Sequence, residues 1–451
     1  MKIENSEEFV RETYSVCPKC LNKIKAKILR QGNSIYMKKE CKIHGHFKSL
    51  ISNQAKDYTG LDRLYFNLNN KKLTNQPKYY NLVLTMKCNL DCPICFLDPH
   101  KINKNNSYKE PSLKEIKVIV RKLKQTKIGL WGGEPTLRPD LVDIIKIIRR
   151  SGNIPVLYTN GIKLNDFTLL KKLKLAGLDT VHLQFDGFEK SNYLGTRGKD
   201  LLQIKIQVLN NLRKLKIPTF LESIIVQNKS DVMEQIFEYA VNHDFIKGIS
   251  LGTYSQLGKG KSYFKNSKYL SLDDIVDLFV KSTNNRITKR EIIVFQKLFI
   301  VLSSLFKKQK CLYKYYFFVH RTKNKGDISY RSFKDMVSLN NVEKILREFE
   351  IHHTSKNFIQ KYYALLRLFL SLINKHSLKM IKDFFLIFLN KERFTGSKIS
   401  NKSLIVLLTT ICDHNNYDFD KVRFCNGGEI STDYGTSLSL AEANMLRESQ
   451  N

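Results

Sequence analysis

The chain has 451 residues, and 76 Lys and Arg against 42 Asp and Glu give it a formal net charge of +34. It is long enough for one large domain with smaller ones beside it. Its basic excess is mostly lysine spread along the chain, with no arginine-rich recognition helix or aromatic-interleaved strand, so no specific nucleic-acid partner is expected.

The polar, acidic start, Met1 to Glu8, does not read as a secretory signal. Nine cysteines in clustered metal-ligand spacings suit a reducing cytoplasmic setting better than a disulfide framework. The apolar stretch Tyr362 to Leu389 is broken by Arg367, Lys375, Lys379, Lys382 and Asp383, which argues against a membrane span. Peripheral contact of so basic a chain with a membrane surface stays open.

In chain order, Cys17-Pro-Lys-Cys20 comes first and Cys41-Lys-Ile-His44-Gly45 follows, with a hairpin-like segment, Ile28–Lys38, between them. This is ligand spacing for a closed tetrahedral site. Cys17, Cys20, Cys41 and His44 are expected to hold zinc or a single rubredoxin-like iron, in a structural rather than a catalytic role.

The apolar run Tyr79–Leu84 reads as a strand, and Cys88, Cys92 and Cys95 follow it on a loop. Three thiolates hold three irons of a 4Fe–4S cubane and leave the fourth for a chelating ligand. After one more helix and the apolar run Ile128–Trp131 comes Gly132-Gly133-Glu134-Pro135. Such glycines let backbone approach a ligand closely, and the carboxylate can accept hydrogen bonds from an ammonium group.

Further apolar runs recur at Lys127–Trp131, Ile154–Tyr158, Thr180–Phe185, Ile217–Val226 and Ile246–Leu251. Helical-period segments separate them: Leu113–Lys127, Leu141–Arg150, Thr168–Ala176, Leu201–Leu215 and Val232–Val241. The alternation predicts an α/β fold with a parallel, barrel-like sheet. Asn160, Gln184 and Asp186 fall at strand C-terminal ends, where they would line one mouth as ligand contacts or serve as turn formers.

Beyond Gly260 the spacing turns helical, at Leu272–Lys281, Glu291–Phe306, Val342–Phe349, Phe358–Ile373 and Ser377–Leu389. Cys311, Cys412 and Cys425 lie far apart in this region and read either as buried thiols or as ligands of an auxiliary cluster. The expected division is a metal-knuckle domain over 1–75, a barrel over 76–262 and a mainly helical domain over 263–451.

The cysteine triplet and Gly132–Pro135 together resemble the radical SAM superfamily. There the open iron binds S-adenosylmethionine (SAM) and the glycine-rich motif holds its methionyl amine. The resemblance implies an open six-stranded (β/α)6 partial TIM barrel, a 4Fe–4S cluster and SAM as cofactors, and a low-potential electron donor of flavodoxin or ferredoxin type. Glu110–Leu113, Thr159–Gly161, Ala176–Gly187 and Arg197–Lys205, with the leading knuckles, are similar to the archaeal tetraether-lipid synthases and pterin C-methylases.

That branch implies hydrogen abstraction by a 5′-deoxyadenosyl radical and carbon–carbon bond formation, as methylation or coupling, on a lipid or pterin-like substrate. It also implies a cysteine-rich carboxy-terminal cluster domain. This chain has Ile292-Ile-Val-Phe-Gln296 where the family has a cysteine, and a polar tail where it has another, which reduces the auxiliary complement to at most one cluster on Cys311, Cys412 and Cys425. Modification of a peptide substrate, or a non-catalytic sensor that binds SAM or a cluster, are the alternatives.

Overall fold

Alternating side chains make the first four segments into strands: β1 (Glu7–Val16), β2 (Lys23–Gln31), β3 (Ser34–Cys41) and β4 (Gly45–Ser52). The computed structural model describes residues 6–68, 79–104, 108–123, 125–226, 229–265, 269–306, 311–324, 327–354, 358–372, 396–423, 425, 427–430, 437–439, 441–443 and 445. The four strands form an antiparallel meander in the order β1-β2-β3-β4. Its own core is thin, built on Ala26, Ile28, Ile35, Met37 and Ala55, as expected of a small module that relies on a metal.

The helix Ala55–Leu68 leads to six parallel strands: β5 (Tyr79–Thr85), β6 (Lys127–Gly132), β7 (Ile154–Thr159), β8 (Thr180–Gln184), β9 (Thr219–Ile225) and β10 (Ile246–Thr253). Neighbours pair in sequence order, as the strand–helix alternation requires, and the observed ends lie close to those read from the apolar runs. Capping fixes the intervening helices locally. Ser112 and Glu115 form a capping box on Leu113–Lys122, and Asp166 caps Phe167–Ala176, which Gly177 ends at φ +104°.

The carboxy-terminal region has the expected helices at Leu272–Ser282, Lys289–Leu305, Leu339–Thr354 and Phe358–Leu372, whereas Ser377–Leu389 lies outside the described residues. Between the helices the chain also returns to the sheet, as β11 (Lys314–Asn324), β12 (Asp327–Arg331), β13 (Ser403–Thr409), β14 (Gly427–Ile430) and β15 (Ser437–Ser439). Among the described residues the order becomes β12-β11-β13-β10-β9-β8-β7-β6-β5-β14-β15. β13 lies parallel to β10, and β14 parallel to β5. The centre of β13, Leu404–Leu408, is apolar throughout because the strand is covered on both faces. Buried Arg321 locks this addition in place by donating to the carbonyls of Val241, Ala240, Ile246 and Ser403.

The outer face of the parallel strands is aliphatic: Leu82, Leu130, Leu157, Val181, Leu221 and Ile249 join the helices in one core. The inner face carries the alternate residues. No helix among the described residues is long and apolar enough to cross a membrane.

Candidate active site and metal centre

Turns at the ends of β1 and β3 bring Cys17, Cys20, Cys41 and His44 together, with their ligand atoms all within 4.8 Å of one another. Cys17 Sγ lies 3.5 Å and Cys41 Sγ 3.6 Å from His44 Nδ1, and the Cys20 and Cys41 sulfurs are 3.9 Å apart. Gly45 takes φ +76° directly after His44, a turn that a residue with a side chain adopts only with strain. Backbone N–H groups of Ile43 and His44, with the His44 ring, pull the Cys41 thiol down to about 6 against the effect of its burial. Soft donors at this spacing, one of them predisposed to the thiolate, fit a tetrahedral zinc ion.

The second group sits at the C-terminal ends of β5 to β8. Cys88, Cys92 and Cys95 occupy the loop after β5, where the Cys95 N–H donates to Cys92 O at 3.1 Å. Burial, with the nearby Glu134 and the other cysteines, pushes the Cys88 thiol up to about 12, and burial with Cys92 pushes Cys95 up to about 11. Desolvated thiols of this kind are suited to a cationic cluster, which deprotonates its ligands on binding.

Gly132 and Gly133 hold that loop against β6. Gly133 N donates to Thr85 O and Glu134 N to Lys87 O, both at 2.7 Å. A Cβ on Gly132 would lie 2.2 Å from Thr85 O, and one on Gly133 2.3 Å from Lys87 O, so neither position tolerates a side chain. Pro135 begins the short helical turn for which Glu134 is the cap.

Glu134 is 1% exposed, and both its oxygens accept from protein donors. Its Oε1 accepts from Thr136 N at 3.1 Å, Thr136 Oγ1 at 2.5 Å and Thr159 Oγ1 at 2.6 Å. Its Oε2 accepts from Asn160 N alone, at 2.7 Å, and is the oxygen left with capacity for a ligand.

Asn160 pins the cysteine loop from the next strand, donating from Nδ2 to Asn89 Oδ1 at 2.8 Å. Gln184 donates to Asp186 Oδ2 at 2.7 Å. Asp186, 3% exposed, also accepts from Arg197 Nε at 2.6 Å and Arg197 Nη2 at 2.9 Å. Burial pushes the Asp186 carboxyl up, but Arg197 outweighs it and holds the group below the usual range. Arg197 also lies beside Cys92, whose charge favours the guanidinium, so a buried ion pair abuts the cysteine loop.

Lys205, absent from the sequence-based set of site residues, is a further support. Its Nζ donates to Asn160 O at 2.5 Å, Gln184 O at 2.6 Å and Gln184 Oε1 at 2.6 Å, tying the ends of β7 and β8 together. Burial brings its ammonium down to about 7. The sequence placed it in a helical stretch and at the end of the family-like segment Arg197–Lys205, but not in the site, because a lysine on an amphipathic helix ordinarily points to solvent.

The third group lies in one neighbourhood, without the close ligand-atom spacing of the ribbon. Cys311 and Cys412 belong to one apolar cluster with Tyr313, Tyr417, Phe96 and Leu257. Burial drives the Cys412 thiol well above its ordinary value, and the Cys311 and Cys425 charges add to this. Cys425 feels burial and Cys311 in the same way. Cys311 and Cys412 flank β11 and β13 at one side of the sheet, and Cys425 precedes β14 at the other.

Residues 82–240 match the Radical SAM superfamily, and residues 9–53 match the HMPTM N-terminal zinc ribbon domain. The chain is 35% identical over 311 residues to a 7,8-dihydro-6-hydroxymethylpterin dimethyltransferase of Methanocaldococcus jannaschii, covering 62% of this chain and 60% of that relative. It is 34% identical over 148 residues to a probable GTP 3′,8-cyclase of Pyrococcus abyssi, covering 33% of this chain and 47% of the cyclase. Among solved structures, SuiB of Streptococcus suis overlays with a TM-score of 0.41 at 17% identity, over 54% of each chain. With a zinc ribbon leading into a cysteine-bearing parallel barrel, the chain belongs to the radical SAM superfamily, whose cofactors are a 4Fe–4S cluster and SAM.

Proposed function

We propose that the chain is a radical SAM enzyme that forms a carbon–carbon bond by methylating a pterin-like substrate. The observation that carries this reading is the pairing, in one chain, of the residue 9–53 zinc ribbon with 35% identity to a pterin dimethyltransferase. In this reading Cys88, Cys92 and Cys95 hold the cluster, while Gly132, Gly133, Glu134, Pro135, Asn160, Gln184 and Asp186 form the SAM-binding rim. Cys17, Cys20, Cys41 and His44 hold zinc, and Cys311, Cys412 and Cys425 hold one auxiliary cluster.

When bound, cluster and SAM supply one-electron cleavage of SAM and a carbon radical able to abstract hydrogen from an unactivated C–H bond. The chain's own residues position and shield. Gly132 and Gly133 keep the cysteine loop seated on β6, and Asn160 anchors it to β7. The Asp186–Arg197 pair beside Cys92 sets the local charge, and Lys205 holds the rim in one geometry. The electron comes from a low-potential flavodoxin- or ferredoxin-type donor in a reducing cytoplasm.

The inner face of the barrel disfavours a lipid chain as substrate, because His182, Glu222 and Lys314 would be left against alkyl groups. The deciding experiment is anaerobic reconstitution of the cluster, followed by assay of 5′-deoxyadenosine and of methylated pterin. SAM cleavage with methyl transfer supports the reading. SAM cleavage that only a peptide stimulates favours peptide modification, and no cleavage by an iron-loaded protein favours a sensor.

A further inference from the structure

Beneath the rim, the inner face of the barrel departs from the packed aliphatic column of a closed (β/α) barrel. Strand register sets Tyr158 beside His182 and His182 beside Phe220, and on the next layer Gln184 beside Glu222. The His182 ring is stacked on both sides, 4.3 Å from Tyr158 and 4.8 Å from Phe220 between ring centroids. Its Nδ1 lies 2.6 Å from Glu222 Oε1. That contact orients the imidazole and turns Nε2 away from the carboxylate. His182 precedes Gln184 by two positions on β8, which puts it about 7 Å deeper than the rim.

The dyad is not sealed off from solvent. The His182 and Glu222 side chains keep 15% and 31% of their accessibility although their strands lie in the middle of the sheet. Glycines let the side chains around the dyad seat directly against the sheet. A Cβ on Gly129 would fall 2.3 Å from Asn81 Oδ1 and 2.8 Å from the Tyr158 ring, and one on Gly248 2.3 Å from the Phe220 ring. One polar group of the same lumen lacks a partner: Asn81, 7% exposed, has an Oδ1 with no hydrogen bond. Lys314, on β11, stands among Tyr79, Tyr316, Cys311 and Tyr158, and its charge also favours the ionised Glu222. A buried amide left unmatched costs stability unless a ligand completes it.

We propose that this layer is the substrate site and that it takes a flat heterocycle with a hydrogen-bonding edge and an anionic or enolic group. His182 Nε2 and Asn81 read the edge, Lys314 meets the negative group, and Tyr158 forms the wall. Glu222 is a positioning residue that acts through His182. The site rests on the radical SAM reading for its chemistry, but not for its binding.

The test uses the full chain with its clusters restored anaerobically and 6-hydroxymethyl-7,8-dihydropterin as the probe. Trp131, the chain's one tryptophan, lies on the same inner face as Gly129 and reports binding by fluorescence quenching, with calorimetry as the second readout. His182→Phe combined with Glu222→Gln keeps a ring in the stack and strands no carboxylate, while Lys314→Met removes the cation. Each variant should bind the probe about tenfold more weakly, the loss expected for one buried hydrogen bond or charge contact, and Lys314→Arg should recover most of it. Melting temperature and iron content, equal to wild type, establish that the variants are folded.

Wild-type affinity in both folded variants overturns the proposal, as does a SAM-cleaving wild type that does not bind the probe. Variants that lose their fold are replaced by Asn81→Ala, read by the same criterion. A wild type that binds the probe yet never cleaves SAM leaves the site standing and overturns the radical reading instead.

Discussion

Arg11 on the zinc-ribbon strand β1 and Asp418 form a buried ion pair across 407 positions of the chain. Thr13 adds a hydrogen bond to Asp418 at 2.7 Å, and Asp62 joins the network through Arg11 at 3.2 Å and Lys421 at 2.7 Å. Asp418 lies in the segment between Cys412 and Cys425, so the ribbon is tied by charge to the chain that carries the third cysteine group. Val16 and Leu21 strengthen the tie by packing with Cys311 and Cys412 in one apolar cluster.

Asp418→Ala leaves Arg11 and Lys421 with one buried carboxylate fewer, and breaking a buried pair in this way costs about 3–5 kcal/mol. Chemical denaturation should show that loss, and Asp418→Asn a smaller one. The pH dependence follows from the carboxyl. Burial pushes Asp418 up, but Arg11 and Lys421 outweigh it and hold the group below its ordinary value. Its contribution is therefore fully present above about pH 4, the unfolded value, and is lost as pH falls through the lower folded value. An acid denaturation curve that is identical in wild type and Asp418→Asn would remove this network from the stability of the fold.

For the barrel cysteines, Cys88→Ala, Cys92→Ala and Cys95→Ala should each abolish 5′-deoxyadenosine formation, because one missing thiolate opens a second iron. Normal cleavage by any one of the purified variants would refute the ligand set. Glu134→Gln should retain iron but weaken SAM binding by about tenfold, roughly the value of one charged hydrogen bond. Glu134→Ala should also lower stability, since Thr136 N, Thr159 Oγ1 and Asn160 N would lose their acceptor together.

The barrel was legible because its strands are short apolar runs between helices with clear caps, and the cysteine and glycine motifs sit at strand ends. The strands after Gly260 were not. The β13 run Leu404–Leu408 has no period of two, since both its faces are covered, and Gly427–Ile430 is too short to stand out. The same limit hid Lys205 and the His182–Glu222 dyad. Their meaning comes from which way a side chain turns inside the curved sheet, and a lone histidine in a strand is an ordinary core residue until register sets Glu222 within reach of it. Asn160, Gln184 and Asp186 were visible as turn formers, whereas their mutual hydrogen bonds through Lys205 and Arg197 were not.

The ribbon should contain one zinc per chain, and its removal should be felt as a folding defect. Coordination contributes directly to folding in modules with thin cores, and the core of this one is a cluster of only a handful of buried apolar residues. Cys17→Ser or treatment with a chelator should therefore lower the melting temperature more than it lowers SAM cleavage per folded molecule. Elemental analysis that finds no metal in a well-folded ribbon would count against Cys17, Cys20, Cys41 and His44 as ligands.

Cys311, Cys412 and Cys425 pose the sharpest choice, because burial alone also explains thiols held above their ordinary range. Two arrangements of the chain favour a cluster. The three sulfurs come from opposite sides of the sheet yet influence one another electrostatically, and Asp418, within the same segment, anchors them through Arg11. Idle core cysteines need no such convergence. A triple alanine variant should then carry about four irons fewer than wild type, the content of one cubane, and lose the corresponding part of the iron–sulfur absorbance. Activity should fall while uncoupled SAM cleavage at the Cys88 loop persists. Equal iron in the two proteins would make the three residues a buried apolar seam that closes the barrel and leave the enzyme with a single cluster.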